Sequence, residues 1–401
     1  MTVSDVFLLD YVRTPRAKGS ARGSLHHQSP VDLVAALQRA MVERTGLDPG
    51  AVEDVIVGSA SQVDEQGANL ARTATLLAGW GDGVPGATIN RFCASGVDAV
   101  AQTAARIRAE DIGLAVAGGV ESVSRVPMYS DRGPLWSHPE TVRRIGSIHM
   151  GVAADLNATI DGWTRDQLDA YAVETHTKAA AAWDRGDYAR SVLPMTRADG
   201  SVFDRDELIR PGTTAESLSA LAPAFAGLGQ DHLALAAHPE VGEINHLHTV
   251  GSSPALADGA ALLLLGTREQ ADRHGLRPRA RVIAGATAAV DPVIMLTAGQ
   301  EAIEKVIAKA GLTPADIDVY EFAEAFSALC LRLRRDLGPG PDRLNPSGGT
   351  IAMGHAFGAT GAIMVGGCAD ALERLGGRYG VAAVSGAAGL GVAVLIERVD
   401  A

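Results

Sequence analysis

The chain has 401 residues, enough for two to three units of ~150 residues, and its 35 Lys+Arg against 47 Asp+Glu give a formal net charge of -12. That sign argues against general binding to nucleic acid or an anionic membrane, and 47% hydrophobic with 20% charged residues excludes a disordered chain. The three cysteines, Cys93, Cys330 and Cys368, are too few for a disulfide scaffold or an all-cysteine zinc site.

In chain order, residues 1–10 read as a short strand that soon meets Arg13 and Arg16 and lacks the pattern of a signal peptide. No apolar run has membrane character, since residues 351–369 are interrupted by His355 and many glycines. The expectation is a soluble, cytoplasmic protein. An amphipathic helix is predicted over 31–43, then Gly46-Leu47-Asp48-Pro49 and a buried strand at 55–57. Asn90-Arg91-Phe92-Cys93-Ala94-Ser95-Gly96 follows a strand pattern at 87–89 and opens a helix to about 109. An apolar strand with a small-residue turn comes next, at 113–119.

The same unit returns about 265 residues later. A helix over 299–310 leads to Gly311-Leu312-Thr313-Pro314 and a strand at 319–320. Gly354-His355-Ala356-Phe357-Gly358 opens a helix to about 375, followed by a strand and turn at 380–386. Such repeats of strand, helix and strand predict a duplicated α/β fold with βαβ units and mostly parallel sheets. Residues 122–249 separate the halves, too long for a connection. They hold polar helices, clearest over 165–185, and read as an inserted lobe that shapes a substrate site. The units are thus 1–121 with 250–272, the lobe at 122–249, and 273–401.

A thiol at a helix N-terminus feels unpaired N–H groups and the positive end of the dipole, which favour thiolate. By position alone Cys93 is either such a nucleophile or a small buried hydrophobe. Cys330 and Cys368 read as core packing. His355 stands at the equivalent junction of the second half, so a pseudo-twofold axis can bring it to Cys93. His246 and His248 alternate along an extended stretch, with no third metal ligand in sight, and read better as lining an acyl pocket. No metal site is expected.

These motifs resemble those of the thiolases from end to end, above all the thiolase (β) subunits of bacterial fatty-acid trifunctional enzymes. The resemblance rests on the residues around Cys93, on Ala117-Gly118-Gly119-Val120-Glu121-Ser122, on Asp291-Pro292-Val293-Ile294-Met295, on Asn345-Pro346-Ser347-Gly348-Gly349 and on Gly354-His355. It implies a five-layered α-β-α-β-α core with an inserted loop domain covering a CoA thioester. It also implies ping-pong acyl transfer: 3-ketoacyl-CoA thiolysis or the reverse condensation, with acyl-Cys93 as intermediate. His355 would take the Cys93 proton, and backbone N–H groups near Cys93, Gly386 and Ala387 would form an oxyanion hole. Met128, Met150, His248, Ser252, Ser253, Met295 and Phe326 would contact substrate or CoA. Arg132, Arg143 and Arg144 are candidates for the CoA phosphates or plain solvated arginines. Coenzyme A and acyl-CoA enter as substrates, with no bound cofactor. A homodimer or homotetramer is implied, with a hydratase/dehydrogenase partner subunit conceivable.

The chain also departs from the thiolase pattern. Ser385 stands where the second catalytic cysteine belongs. An alcohol is about as weak an acid as water, ~15.7 against ~8.5 for a thiol, so Ser385 cannot simply replace a thiolate base. Ala323 replaces an oxyanion-hole asparagine, Ala356 follows the histidine in place of proline, and Pro254 replaces a serine near the pantetheine. The alternatives are therefore acyl transfer, hydrolysis or unusual C–C cleavage from acyl-Cys93, or a non-catalytic acyl-CoA-binding subunit.

Overall fold

The computed structural model describes residues 4–399. The first three residues of the expected N-terminal strand and the last two of the C-terminal half lie outside them. The first half supplies β1 (Phe7–Arg13), α1 (Pro30–Thr45), β2 (Asp54–Gly58), α2 (Leu70–Leu77), β3 (Ala87–Ile89), α3 (Ser95–Arg108) and β4 (Leu114–Ser122). The lobe carries α4 (Met150–Asp161) and α5 (Arg165–Arg185). After it come β5 (Ala257–Gly266), β6 (Ala280–Ala289), α6 (Ala298–Lys309), β7 (Val319–Phe322), α7 (Ser327–Leu337), α8 (Phe357–Leu375), β8 (Tyr379–Gly386) and β9 (Leu390–Arg398). The predicted repeat is thus present element for element.

The strands run in the order β7-β8-β9-β6-β1-β5-β4-β2-β3. Two half-sheets meet where β1 touches β6 through only Phe7↔Arg281 and Leu8↔Ala280. The expectation of mostly parallel sheets is corrected. Only β2/β3, β2/β4 and β7/β8 are parallel, while β4/β5, β5/β1, β1/β6, β6/β9 and β9/β8 are antiparallel. A crossover helix enforces parallel pairing only between the strands it joins. The flanking strands are free to return antiparallel.

Helices α3 and α8 lie side by side between the half-sheets and bury Val97, Val100, Ala359 and Ala362 in one apolar core with residues of both sheets. Two further cores lie on the outer faces, under α1 and α2 on one side and under α6 and α7 on the other. This gives the alternating helix and sheet layers. Glycine sets the spacing of the central layer. A Cβ on Gly96 would lie 2.3 Å from the Gly358 carbonyl oxygen, and one on Gly361 2.4 Å from the Val97 nitrogen. The two backbones therefore touch, and the N-termini of α3 and α8 sit together. Gly58 and Gly119 also crowd this contact, with a Cβ on Gly119 2.0 Å from the same carbonyl.

The inserted lobe is pinned by buried polar contacts. Asp206 accepts from Arg13 Nη1 at 2.8 Å and Nη2 at 3.0 Å, and from the Arg16 backbone at 2.6 Å. Tyr171 and Thr175 of α5 donate to Glu324 at 2.8 and 2.9 Å. Among the described residues no helix is long and apolar enough to cross a membrane.

Candidate active site

The junction between β3 and α3 is a tight elbow built by two side chains. Asn90 Oδ1 accepts from the Phe92 N–H at 2.8 Å. Ser95 Oγ accepts from the Arg91 N–H at 2.8 Å and donates to the Phe92 carbonyl at 2.6 Å. Phe92 is held at φ +50°, a left-handed conformation rare for a bulky side chain. The elbow presents Cys93 two residues before α3, 6% exposed. Burial pushes its thiol up to about 12, and the buried carboxylate of Glu121 adds to the rise. The sequence suggested the opposite direction. Desolvation of a thiolate outweighs the helix N-terminus while the site is empty.

His355 lies in the turn before α8. Its backbone N–H donates to the Ala255 carbonyl at 2.9 Å and its carbonyl accepts from the Ala257 N–H at 3.2 Å. These bonds tie the turn to the start of β5 although Ala356 follows in place of proline. Arg16 Nη1 donates to the neighbouring Gly354 carbonyl at 3.4 Å. His355 Nδ1 is paired with Thr360 Oγ1 at 2.9 Å, no hydrogen bond engages Nε2, and the ring packs edge-on against Phe357 at 5.1 Å. Burial, with the Arg16 charge adding, lowers its pKa to about 4. It is a neutral imidazole with a free nitrogen.

Cys93 and Phe357 line one cavity of about 420 Å³. Met128, Met150, Met295 and Ala387 line it too, and so does Arg132. His355 stands behind Phe357 and is not part of the wall, and neither are Ala323, Ser252, Ser253, Phe326, His248, Gly386 and Ser385. Gly386 still touches the nucleophile elbow, since a Cβ there would lie 3.2 Å from the Arg91 carbonyl oxygen. Phe326 backs the cavity indirectly, packing on Phe225 at 5.7 Å, which packs on the lining residue His149 at 5.5 Å. His248 is fully buried: Nδ1 meets Asp155 Oδ1 at 2.8 Å and Nε2 accepts from the Ala328 N–H at 3.4 Å. His246 bridges Asp155 and Asp231 at 2.9 Å each. Both histidines are spent on holding the lobe, in a stretch that forms no strand. Ser252 Oγ caps the Thr249 N–H at 3.0 Å. Ser253 Oγ is buried without a partner. Arg143 contacts Glu140 on an exposed short helix, Pro139–Ile145. Among the described residues no cluster of His, Cys, Asp or Glu is arranged to hold a metal.

Ser385 is also engaged. Its Oγ donates to the Leu296 carbonyl at 2.7 Å and accepts from the Gly299 N–H at 3.0 Å, stitching β8 to the first turn of α6. Ala323 offers only a methyl group. Neither supplies a polar atom to the cavity.

Four site residues escaped the sequence reading. Glu121, fully buried, accepts from the N–H groups of Ala60, Ser61 and Gly358 and from Gln66 Nε2, at 2.8, 3.2, 2.9 and 2.6 Å. It thereby ties the N-terminus of α8 to the 60–66 segment that follows β2. The other three, Tyr129, Trp136 and His149, line the cavity. Glu121 could have been found as a lone acidic residue in an apolar strand. The others lie in a loop-rich stretch with no periodic signal.

Comparison with known proteins shows the family to which the chain belongs. A family model described as "Thiolase, N-terminal domain" matches residues 6–269 and one described as "Thiolase, C-terminal domain" matches residues 276–398. A 3-ketoacyl-CoA thiolase of Klebsiella pneumoniae is 36% identical over 409 residues, covering 99% of this chain and 100% of that protein. A beta-ketoadipyl-CoA thiolase of Pseudomonas aeruginosa is 36% identical over 417 residues, covering 98% and 99%. The crystal structure of an acetyl-CoA acetyltransferase from Bacillus anthracis superposes with a TM-score of 0.86 at 33% identity, covering 99% of each chain.

Proposed function

The chain belongs to the thiolase family and is an acyl-CoA acyltransferase of thiolase type, and from that premise we propose that it cleaves 3-ketoacyl-CoA with CoA, or runs the reverse condensation, through an acyl group held on Cys93. The observation that carries this reading is Cys93 at the wall of a methionine- and aromatic-lined cavity, beside the paired helix N-termini of the two halves. His355 takes the Cys93 proton, which a neutral imidazole with a free Nε2 can do. The Cys93 backbone and the Ala387 turn supply N–H groups to the thioester oxyanion. CoA enters as cosubstrate, with Arg132 at the cavity as the candidate for its phosphates.

Incubation with acyl-CoAs followed by peptide mass spectrometry should place an acyl group on Cys93. Absence of an adduct with every acyl-CoA tried rejects acyl-Cys93 chemistry. Loss of 3-ketoacyl-CoA absorbance on adding CoA then tests thiolysis itself. A second reading, transfer of the acyl group from Cys93 to water or another non-carbon acceptor, is favoured by the tied-up Ser385 hydroxyl and the apolar Ala323. It predicts adduct formation without thiolysis.

A homodimer is part of the proposal. The strand β3 ends the sheet and pairs only with β2, leaving an edge that a second copy can extend. Sedimentation at micromolar concentration should give twice the 41.4 kDa chain mass. Breakdown of fatty acids is the physiological setting that the related 3-ketoacyl-CoA thiolases suggest.

A further inference from the structure

We propose that Tyr129 of the inserted lobe is the second acid/base of this site, giving its hydroxyl proton to the α-carbon of the departing acyl-CoA. The inference rests on the thiolysis reading above and answers the question that reading leaves open. C–C cleavage needs a proton donor at the α-carbon, and Ser385 is committed to Leu296 and Gly299.

Four observations converge on Tyr129. It lines the same cavity as Cys93. Its hydroxyl has no hydrogen-bond partner in the protein, and the residue is exposed at 37%, so the hydroxyl is free to meet a substrate. Its backbone is held at φ +72°, a strained conformation for a bulky residue that a plain surface tyrosine has no reason to keep. An aromatic relay fixes the ring: Tyr129 packs on Trp136 at 5.1 Å and Trp136 meets Phe92 edge-on at 5.7 Å, while Trp136 Nε1 donates to Asp131 at 3.0 Å. The phenol is thus oriented from the residue that precedes the nucleophile. Its titration also responds to the site, raised first by burial and second by the charge of Cys93. At neutral pH it is a proton donor. The other candidate on the wall, His149, uses Nδ1 to accept from the Gly151 N–H at 3.0 Å and shows no such link to Cys93.

The protons balance. Cys93 sulfur bonds to the 3-keto carbon and its proton passes to His355. The bond between C2 and C3 breaks, its electron pair goes to C2, and C2 takes the Tyr129 proton, releasing acetyl-CoA. The phenolate then recovers a proton from solvent, and the incoming CoA gives its thiol proton to solvent, as a thiol with pKa ~8.5 does readily. The CoA thiolate attacks acyl-Cys93, and the leaving Cys93 thiolate recovers its proton from His355.

The test separates C–C cleavage from simple loading of Cys93. Tyr129→Phe is expected to lower kcat for 3-ketoacyl-CoA thiolysis by about 10²-fold or more. Loading of Cys93 from a saturated acyl-CoA, which breaks only a C–S bond, should stay within a few-fold of wild type. A merely structural role would lower both half-reactions together. Wild-type thiolysis matched by Tyr129→Phe overturns the proposal and leaves the thiolysis reading standing. Failure in Tyr129→Phe of loading and cleavage alike, or a selective loss of cleavage in His149→Asn with Tyr129→Phe unaffected, also overturns it. Wild type that loads Cys93 but cleaves no 3-ketoacyl-CoA overturns the thiolysis reading and this proposal with it.

Discussion

Cys93 combines a nucleophile's position with a pKa that keeps it protonated. With its thiol pushed up to about 12, its alkylation by iodoacetamide at pH 8 should be roughly a thousandfold slower than that of a free thiol, because the thiolate fraction is that much smaller. The rate should climb about tenfold per pH unit without a plateau below pH 10, and a plateau near pH 7–8 would contradict the assignment. Because the fold raises this pKa above its unfolded value, the protonated thiol's contribution to stability is present at neutral pH and is lost as pH rises above the ordinary thiol range. Ser385 makes the contrasting prediction. Ser385→Ala leaves the buried Gly299 N–H and Leu296 carbonyl unpaired and should cost about 1–3 kcal/mol in denaturant unfolding. The sequence made Cys93 and His355 legible because each sits in a local motif with glycine neighbours. It could not show that Ser385 turns its hydroxyl to α6, because that contact joins residues 86 to 89 positions apart.

At the scale of elements, the contact of α3 with α8 decides where the site forms. Gly96→Ala would drive a methyl group to 2.3 Å from the Gly358 carbonyl oxygen, so one helix must shift. Overpacking of this kind costs about 1–3 kcal/mol, measurable as a fall in Tm, and it should reduce Cys93 acylation more than a stability loss of that size accounts for. The helices themselves were legible: α5 runs over the predicted 165–185, and α3 and α8 end within a residue of expectation. Apolar periodicity with glycine after the last turn is a local signal. Strand direction was not legible, since pairing joins segments more than a hundred residues apart, as in β4 with β5. Glu121 belongs to the same class. Its four donors come from the 60–66 segment and from α8, which nothing local to β4 announces.

For the whole molecule, the lobe and the core are joined through Asp206. Arg13 is 1% exposed and Arg16 is 3% exposed, and both lean on this carboxylate. Burial opposes the charged form of Asp206, but Arg13 and Arg16 outweigh it and hold the carboxyl below its usual range. Asp206→Asn would leave two buried guanidiniums short of a counter-charge, a change that costs about 3–5 kcal/mol. Chemical denaturation should show that loss at pH 7. The depressed carboxyl contributes stability above the ordinary carboxylate range and loses it as pH falls through that range, so the gap between wild type and Asp206→Asn should narrow on acidification.

The strand β5 lies between β1 and β4 although it is made after the entire inserted lobe. On the ribosome, the N-terminal sheet therefore has a gap at its centre until residue 266 has been added. Counted from the end of β4 at Ser122, at 5–20 residues per second that interval is roughly 7–30 s. During it β1 and β4, whose side chains are all buried in the finished protein, present unpaired edges to solvent or to a chaperone. A nascent chain stalled within the lobe is thus the species most exposed to aggregation, and a fragment ending at residue 250 should not fold however stable the full chain is.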